Sequence, residues 1–186
     1  NKKIEIILFD LKNKLNLYQE INNIYKSELN NIYISQNHEL TYECAKFLFH
    51  YNSVIMTAER MDLFFLNFEK ILFNVKNEYK NINNFIFTGS SVMSALGIRK
   101  PKDFDIFHTN DFILPEFLSS DNSKIKLINY TLEELLFDPR NHFFYMGLKF
   151  IHPKILLELK KKKYLLNKNE KDKDDIELLK KFLKLK

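Results

Sequence analysis

The chain has 186 residues, which suits one domain of ordinary size and is short for two. Hydrophobic residues make up 45% and aromatic residues 15% of it, a composition that excludes an intrinsically disordered protein. The net charge of +5 permits an anionic partner such as a nucleotide, a phosphorylated metabolite or RNA. Basic and acidic residues are interleaved, however, so charge alone favours a solvated surface over a binding tract.

The single cysteine, Cys44, excludes a disulfide framework and a zinc site built from cysteines, and it fits a reducing compartment. No apolar run reaches the roughly 18 residues that span a bilayer, and the first residues lack the pattern of a signal peptide. We therefore expect a cytoplasmic protein without a membrane partner. Because the chain begins with Asn1, we also expect it to be part of a longer polypeptide.

The first eighty residues contain no glycine or proline and have a helical apolar period. Near the N-terminus, Ile4, Leu8 and Leu11 follow this spacing. Later in the segment, Phe68, Leu72 and Val75 follow it as well. Polar interruptions predict breaks near residues 30–37 and 51–53, giving three or four helices. Residues 1–80 are thus predicted to form a helical segment, either a cap or part of a longer protein.

The pattern changes near residue 84. Residues 85–88 form a short aromatic and β-branched run that predicts a strand, and Gly89 follows it directly. A short helix is then expected, ended by Gly97. Since the whole chain has only three glycines, a glycine placed between a strand and a helix is a candidate for a functional turn.

The rest of the chain mixes strand and helix patterns. Strands are predicted at residues 103–107, 125–128 and 143–150, and helices from Pro153 onward and over residues 174–185. The predicted class is therefore α+β, with a mixed sheet flanked by helices over residues 81–186 after the N-terminal helical segment.

Asp103 and Asp105 are the strongest candidates for chemistry. Two residues apart on a strand, they would emerge on one face with Cα atoms roughly 6.6 Å apart. Two neighbouring carboxylates repel each other unless a cation lies between them, and Mg²⁺ or Mn²⁺ with substrate phosphates is the usual partner of such a pair. Two solvated acids at a strand edge are the alternative interpretation of the pair taken alone.

Gly89, Ser90 and Ser91 lie a short distance before the two aspartates. A glycine at this turn lets the backbone approach a ligand, and the amides and hydroxyls of the two serines offer donors to a phosphate. The segment has neither the Gly-Lys-Ser/Thr of a Walker loop nor the several glycines of a dinucleotide fingerprint.

Together these residues resemble the signature of the DNA polymerase β-like nucleotidyltransferase superfamily. The resemblance rests on residues 87–90 (FTGS), 96–99 (LGIR) and 103–106 (DFDI), and it extends to the C-terminal Leu159-Lys160 and Lys171-Asp172 with Asp175. The chain looks most like small bacterial members from polysaccharide gene clusters and toxin–antitoxin systems. About residues 84–182 are covered.

The resemblance implies a nucleotidyltransferase-like fold and a metal-dependent enzyme that moves NMP from an NTP to a hydroxyl or phosphate acceptor. Asp103 and Asp105 would be the catalytic and metal-binding residues, with Mg²⁺ or Mn²⁺ as cofactor. The nucleotide-binding residues would be Gly89, Ser90, Ser91, Arg99 and Lys102, with Lys149 as a further cation for the triphosphate. The partners implied are an NTP and an unknown acceptor, a small molecule or sugar rather than RNA or protein, in a bacterial cytoplasm.

Members of the superfamily usually carry a third carboxylate on a later strand. The expected strand, residues 142–151, contains no acid, and the sequence leaves Asp111, Asp121, Glu133 and Asp138 open, with His142 as a base in their place. This departure supports an alternative, a noncatalytic module that binds a nucleotide or a partner. A further alternative is NMP transfer to RNA or protein.

Overall fold

A computed structural model of the chain describes residues 38–61, 63–79 and 81–185. The break predicted near residues 30–37 and the first predicted helices lie outside these residues. The chain divides into two compact units, Asn1–Tyr42 and Glu43–Lys186. In the part of the chain that is described, no helix has both the length and the apolar character needed to cross a membrane.

Among the described residues, three helices precede the sheet: α1 (His38–Leu48), α2 (Tyr51–Ala58) and α3 (Leu66–Glu78). The predicted helical period is confirmed there, with the break at residues 49–50 rather than 51–53. Helix α3 buries the side chains of Phe68, Leu72 and Val75, the positions that the apolar spacing marks as one face.

The predicted strand, turn and helix around Gly89 are confirmed. Strand β1 (Phe85–Phe87) is fully buried, α4 (Gly89–Ala95) begins two residues later, and Gly97 follows the end of that helix. Strand β2 (Asp105–His108) is shorter than expected: Asp103 lies in the turn before it rather than on the strand. The prediction that Asp103 belongs to the strand is therefore wrong, because hydrogen bonds from serine hydroxyls hold its backbone in a turn.

The segment predicted as a strand at residues 125–128 is instead a 3₁₀ helix, Asn122–Leu127, which follows the two-residue strand β3 (Ser119–Ser120). Asp121 and Lys124 form an ion pair three residues apart, a spacing that favours a helical turn over a strand. The Asn122 side chain pairs with both backbone groups of His108, at 2.9 and 2.8 Å, and so takes the place of a strand neighbour for β2.

The predicted strand at 143–150 is a hairpin of two strands, β4 (His142–Tyr145) and β5 (Leu148–Ile151). Its turn residues, Met146 and Gly147, have φ of 50° and 79°, as a two-residue hairpin with the right twist requires. Before it lies α5 (Leu132–Phe137), which begins with a reciprocal capping box between Thr131 and Glu134.

The five strands form one mixed sheet in the order β3-β2-β1-β5-β4. Strand β1 is antiparallel to β2 and parallel to β5, while β3 runs parallel to β2. The α+β class with a mixed sheet and flanking helices is thus confirmed. The order places β3, rather than the β4–β5 hairpin, beside the strand that carries Asp105.

Two long helices end the chain, α6 (Pro153–Asn167) and α7 (Glu170–Phe182). They are joined at Lys168, which adopts a left-handed conformation with φ of 51°. Helix α7 begins four residues before the predicted start at Asp174. Helix α6 contacts α4 and the 3₁₀ helix.

One cluster of apolar side chains joins the sheet to its helices. Its largest fully buried members are aromatic, and Phe150 lies at its centre with ring contacts to its neighbours on β1, β4 and α3, namely Phe87, Phe143 and Phe68. Ring contacts of this kind stabilise beyond the area they bury.

Helix α2 lies along the outer strand β4. The Asn52 amide donates hydrogen bonds of 3.0 Å to the carbonyls of Pro139, Arg140 and His142, and the Ser53 hydroxyl accepts one of 2.7 Å from the Phe144 amide. A side chain therefore satisfies an N–H of β4 that no strand pairs.

Candidate functional site

Gly89 and Asp105 meet where β1 ends and α4 begins. The backbone of Thr88 donates a 2.9 Å hydrogen bond to the Asp105 carbonyl, which places the Asp105 side chain against Gly89. Gly89 has φ of 60°, and a Cβ atom there would lie 2.6 Å from Asp105 Oδ2. Only glycine fits both the conformation and the space.

Asp103 is exposed and is held by the two serines of α4. The Ser90 hydroxyl donates to the Asp103 carbonyl at 3.0 Å and to Asp103 Oδ1 at 3.1 Å, and it accepts from the Lys102 amide at 3.2 Å. Ser91 donates to the same carbonyl at 3.3 Å. The two serines thus fix the turn that carries the first aspartate and join it to the Gly89 turn.

Asp121 is the third carboxylate near this turn. It follows β3 directly, and its amide donates to the carbonyl of Ile106 on the neighbouring strand β2. Its side chain is 7% exposed and is ion-paired with Lys124. Of the four acids that the sequence left open, this is the one whose charge acts on Asp105.

The electrostatics of Asp105 reflect this crowding. Burial, followed by the charges of Asp121 and Asp103, raises the pKa of Asp105 to about 6, against the opposing effect of Lys124 and Lys163. A carboxyl group whose ionised form is disfavoured in this way is a common feature of functional sites.

The predicted cations are engaged elsewhere or exposed. Arg99 forms a bidentate pair with Asp175 at 2.7 and 2.9 Å, and Lys102 is exposed. Lys149 is buried, donates to the Leu136 carbonyl at 2.7 Å and lies over the Phe137 ring. Lys124 and Lys163, which the sequence did not single out, are the lysines whose charges act on Asp105. Because lysines are frequent throughout the chain, the sequence did not indicate that these two act on Asp105.

An open apolar groove of about 350 Å³ lies beside the aspartate turn. Helix α3 supplies one wall and the 100–104 connector the other; among its lining residues are Phe65, Phe68, Ile71, Pro101 and Phe104. Phe104 separates Asp103 from Asp105, so the groove and the two carboxylates share one loop.

The carboxylate turn fits a divalent cation in three respects. Its donors are oxygen atoms of ionisable acids, the glycine leaves open the space that a Cβ would fill beside Asp105, and Thr88 Oγ1 next to it is buried without a hydrogen-bond partner among the described residues. Over these same residues, no group of three or more His, Cys, Asp or Glu side chains is close enough to hold a metal by itself. The arrangement suits an ion that takes its remaining ligands from substrate phosphates and water, as Mg²⁺ does.

No family model matches the chain, and neither a curated protein nor a solved structure matches it. The chemistry of the site is therefore inferred from its own residues.

Proposed function

We propose that this protein is a metal-dependent nucleotidyltransferase of the DNA polymerase β-like superfamily, which transfers NMP from an NTP to a hydroxyl or phosphate acceptor. The observation that carries the proposal is the close approach of the Asp105 carboxylate to Gly89, together with the charges of Asp103 and Asp121 that act on Asp105. A small molecule or a sugar is the acceptor we favour. The resemblance of residues 84–182 to the superfamily supports the same interpretation.

The roles follow from the positions of the side chains. Asp103 and Asp105 would hold Mg²⁺ or Mn²⁺, which when bound would activate the acceptor hydroxyl and neutralise the leaving pyrophosphate. The turn of Gly89, Ser90 and Ser91 positions Asp103 and lets the Asp105 carboxylate approach the backbone at Gly89. In the reaction, the acceptor oxygen bonds to the α-phosphorus, a hydroxyl acceptor gives up its proton to solvent, and the bond from the α-phosphorus to the oxygen that bridges it to the β-phosphorus breaks, releasing pyrophosphate.

We assign the part of the third carboxylate to Asp121. It directly follows β3, the strand next to β2, its charge acts on Asp105, and the ion pair with Lys124 holds its carboxylate in place. The superfamily pattern asks for an acid on a strand after the aspartate pair, and Asp121 lies one residue beyond the two-residue strand β3.

Binding of Mg²⁺ with an NTP tests the proposal. Ligand at a hundredfold excess over its Kd should stabilise the wild-type chain by about 2.7 kcal/mol, measured as a rise in the thermal unfolding temperature. The Asp103→Asn/Asp105→Asn double variant should lose this rise. The control is Asp174→Asn, which removes an exposed acid of α7 and should keep it.

Loss of binding in the double variant would not reflect loss of folding. Since burial and the neighbouring acids disfavour the charge of Asp105, the Asp105→Asn variant should unfold at a temperature no lower than that of the wild type when metal is absent. A double variant that binds and turns over NTP like the wild type would contradict the proposal.

The second candidate is a noncatalytic nucleotide-binding module. The absence of a group of three metal-binding side chains among the described residues favours it. Release of pyrophosphate from α-labelled NTP in the presence of sugar or nucleoside acceptors separates the two candidates, and label recovered on RNA or protein would identify a macromolecular acceptor.

A further inference from the structure

The proposed chemistry uses no residue of the apolar groove beside the aspartate turn. The groove measures about 350 Å³, within the range of small-molecule sites, and it is open to solvent. Its connector wall contains Phe104, the residue between Asp103 and Asp105. A substrate bound at the two carboxylates would therefore lie beside the groove.

Two half-buried phenylalanines line opposite walls of the groove. Phe104 packs nearly parallel to the fully buried Phe68, with ring centroids 6.0 Å apart and 17° between the ring planes, and this contact fixes the orientation of the Phe104 ring. Phe65, which precedes α3, makes no ring contact with Phe104 or with any other described residue. Part of each ring is thus open to a ligand, and Pro101 adds a rigid apolar surface to the connector wall.

Two polar side chains, Asn67 and Lys100, are among the described residues that line the groove. Both are exposed, and neither side chain has a hydrogen bond or an ion pair within the described part of the chain. The Asn67 amide offers donors and an acceptor, whereas the Lys100 ammonium group offers donors only. A mostly apolar site with a few polar groups is the usual form of a small-molecule site, in which the polar groups decide the orientation of the ligand.

These features discriminate among the parts of a nucleotide and its acceptor. A triphosphate fits poorly, because the described lining residues offer it one cation and largely apolar walls. A sugar also fits poorly, because it carries many hydroxyl groups and the groove has few polar partners for them. A nucleobase has two apolar faces, which suit the phenylalanine rings, and a polar edge, with which an asparagine amide can pair.

We infer that the groove binds the nucleobase of the NTP, with Phe65 and Phe104 against its faces and Asn67 paired with its polar edge. The inference rests on the proposed function for the presence of a nucleotide at the carboxylates. It divides the substrate site in two: the aspartate turn takes the phosphates, and α3 with the 100–104 connector chooses the base. Helix α3 thereby belongs to the substrate site, although it lies outside residues 84–182, which carry the resemblance to the superfamily.

Nucleosides test the groove separately from the phosphates. In saturation-transfer NMR with the full chain and no metal, adenosine, guanosine, cytidine and uridine should receive saturation more strongly at base protons than at ribose protons. Phe104→Leu, which keeps an apolar side chain but removes the ring, should weaken binding of the preferred nucleoside at least about fivefold. The control Phe73→Leu changes an exposed phenylalanine of α3 outside the groove and should leave the affinity unchanged.

Asn67→Ala tests the choice of base. Because Asn67 is exposed, the fold should be unaffected, and the preference for the favoured nucleoside over the next should fall at least about threefold as the base edge loses its partner. The control Asn74→Ala removes an exposed asparagine of the same helix that does not line the groove, and it should keep the preference.

The possible results separate this inference from the proposed function. Absence of saturation transfer to all four nucleosides at millimolar concentration, wild-type affinity in Phe104→Leu, or an unchanged preference in Asn67→Ala would overturn the nucleobase site. Saturation of glucose or N-acetylglucosamine protons that is lost in Phe104→Leu, with none on the nucleosides, would assign the groove to the acceptor and overturn it too.

The metal-dependent reaction gives the remaining results. NTPs that turn over with Mg²⁺ but bind no more tightly than Mg²⁺·tripolyphosphate would overturn the nucleobase site and leave the proposed function intact. Nucleoside binding that depends on Phe104 and Asn67, without Mg²⁺-dependent binding of any NTP, would keep the nucleobase site and reject the proposed function.

Discussion

At the level of single residues, the position of the Asp105 carboxylate depends on a glycine at position 89. The left-handed backbone of Gly89 places the turn beside the Asp105 carboxylate, and the missing Cβ leaves room for it. The residues next to Asp105 in the sequence predict only the start of a strand. They indicate neither the left-handed conformation of Gly89 nor the need for a residue without a Cβ. The glycine is therefore the residue that most restricts what can occupy this position.

Substitution of Gly89 by alanine should be costly for two reasons. The positive φ alone costs roughly 1–2 kcal/mol, and the added Cβ would collide with Asp105 Oδ2. Gly147→Ala is a matched control, since that glycine has φ of 79° but its Cβ would meet only the flexible Lys76 side chain at 3.4 Å. In urea unfolding, Gly89→Ala should lose at least about 1 kcal/mol more than Gly147→Ala.

If both alanine variants lost the same free energy of unfolding, the backbone conformation alone would account for the effect. The Asp105 side chain would then move away from the added Cβ without destabilising the fold. The same experiment with Mg²⁺ and NTP present should find binding abolished in Gly89→Ala and retained in Gly147→Ala.

At the scale of elements, a buried ionic network ties the C-terminal helices to the connector before β2. Arg99 binds Asp175, and Lys160 of α6 binds Asp172 and Asp175 of α7. Burial disfavours the ionised form of Asp175, but its hydrogen bonds from Arg99 and Lys160 prevail and lower the pKa of this carboxyl group. The network fixes the connector that leads into the aspartate turn.

Removal of Lys160 should therefore destabilise the fold strongly. Lys160→Met leaves two buried carboxylates short of a partner and should cost about 3 kcal/mol in the free energy of unfolding. Asp172→Asn should cost less, since Lys160 keeps its pair with Asp175. The control Lys162→Met removes only an exposed pair with Glu158 and should cost less than about 0.5 kcal/mol.

Chemical denaturation of the three variants measures these differences. If Lys160→Met were as stable as Lys162→Met, the network would contribute no net stability, and the order of the connector would have another cause.

Local patterns were sufficient to predict elements whose signals lie within a few residues. Examples are the strand and turn at residues 85–89 and the helix from Pro153. Aromatic runs, glycine and proline influence the backbone conformation of the residues next to them. The 3₁₀ helix was mistaken for a strand because the run Ile125–Ile128 has β-branched residues, whereas the deciding contact is the ion pair of Asp121 with Lys124.

The third acid could not be chosen from sequence for a different reason. The charge of Asp121 acts on Asp105 because β3, which directly precedes Asp121, pairs with β2, and these two short strands are separated by a loop. Two serines carry no strand signal, so nothing in the sequence distinguished Asp121 from Asp111, Glu133 or Asp138. Pairing between separated strands is a property of the sheet as a whole.

At the scale of the whole molecule, buried histidines couple stability to pH. His50 and His142 are stacked with ring centroids 5.0 Å apart, and both are less than one-tenth exposed. Burial, then the charges of His50 and Lys149, lowers the pKa of His142 to about 4, and burial and Lys46 also lower the pKa of His50. Burial likewise lowers the pKa of His152 to about 4.

The histidines should therefore make the folded state less stable in mild acid, whereas Asp105, whose pKa is raised to about 6, acts in the opposite direction. Between the unfolded pKa of 6.5 and about 4, an unfolded chain binds a proton at His142 that the folded chain does not, so the free energy of unfolding falls as the pH falls. The part due to His142 amounts to at most about 3 kcal/mol. Urea unfolding at pH 7.5, 6.0 and 5.0 measures the slope.

His142→Gln should reduce this slope, because glutamine can donate to the Leu135 carbonyl as His142 Nδ1 does at 3.1 Å, but does not titrate. A slope unchanged in His142→Gln would mean that the acid sensitivity arises at other groups.

The hydrogen bonds from α2 to β4 have a consequence for self-association. An uncovered outer strand offers a row of amide and carbonyl groups on which another copy of the chain can add a strand, and this is a common start of aggregation. Asn52 and Ser53 occupy such groups along β4 with their own side chains. A shortened chain begun at residue 81, after the helical segment, would lack this cover, and we expect it to self-associate more readily than the full chain.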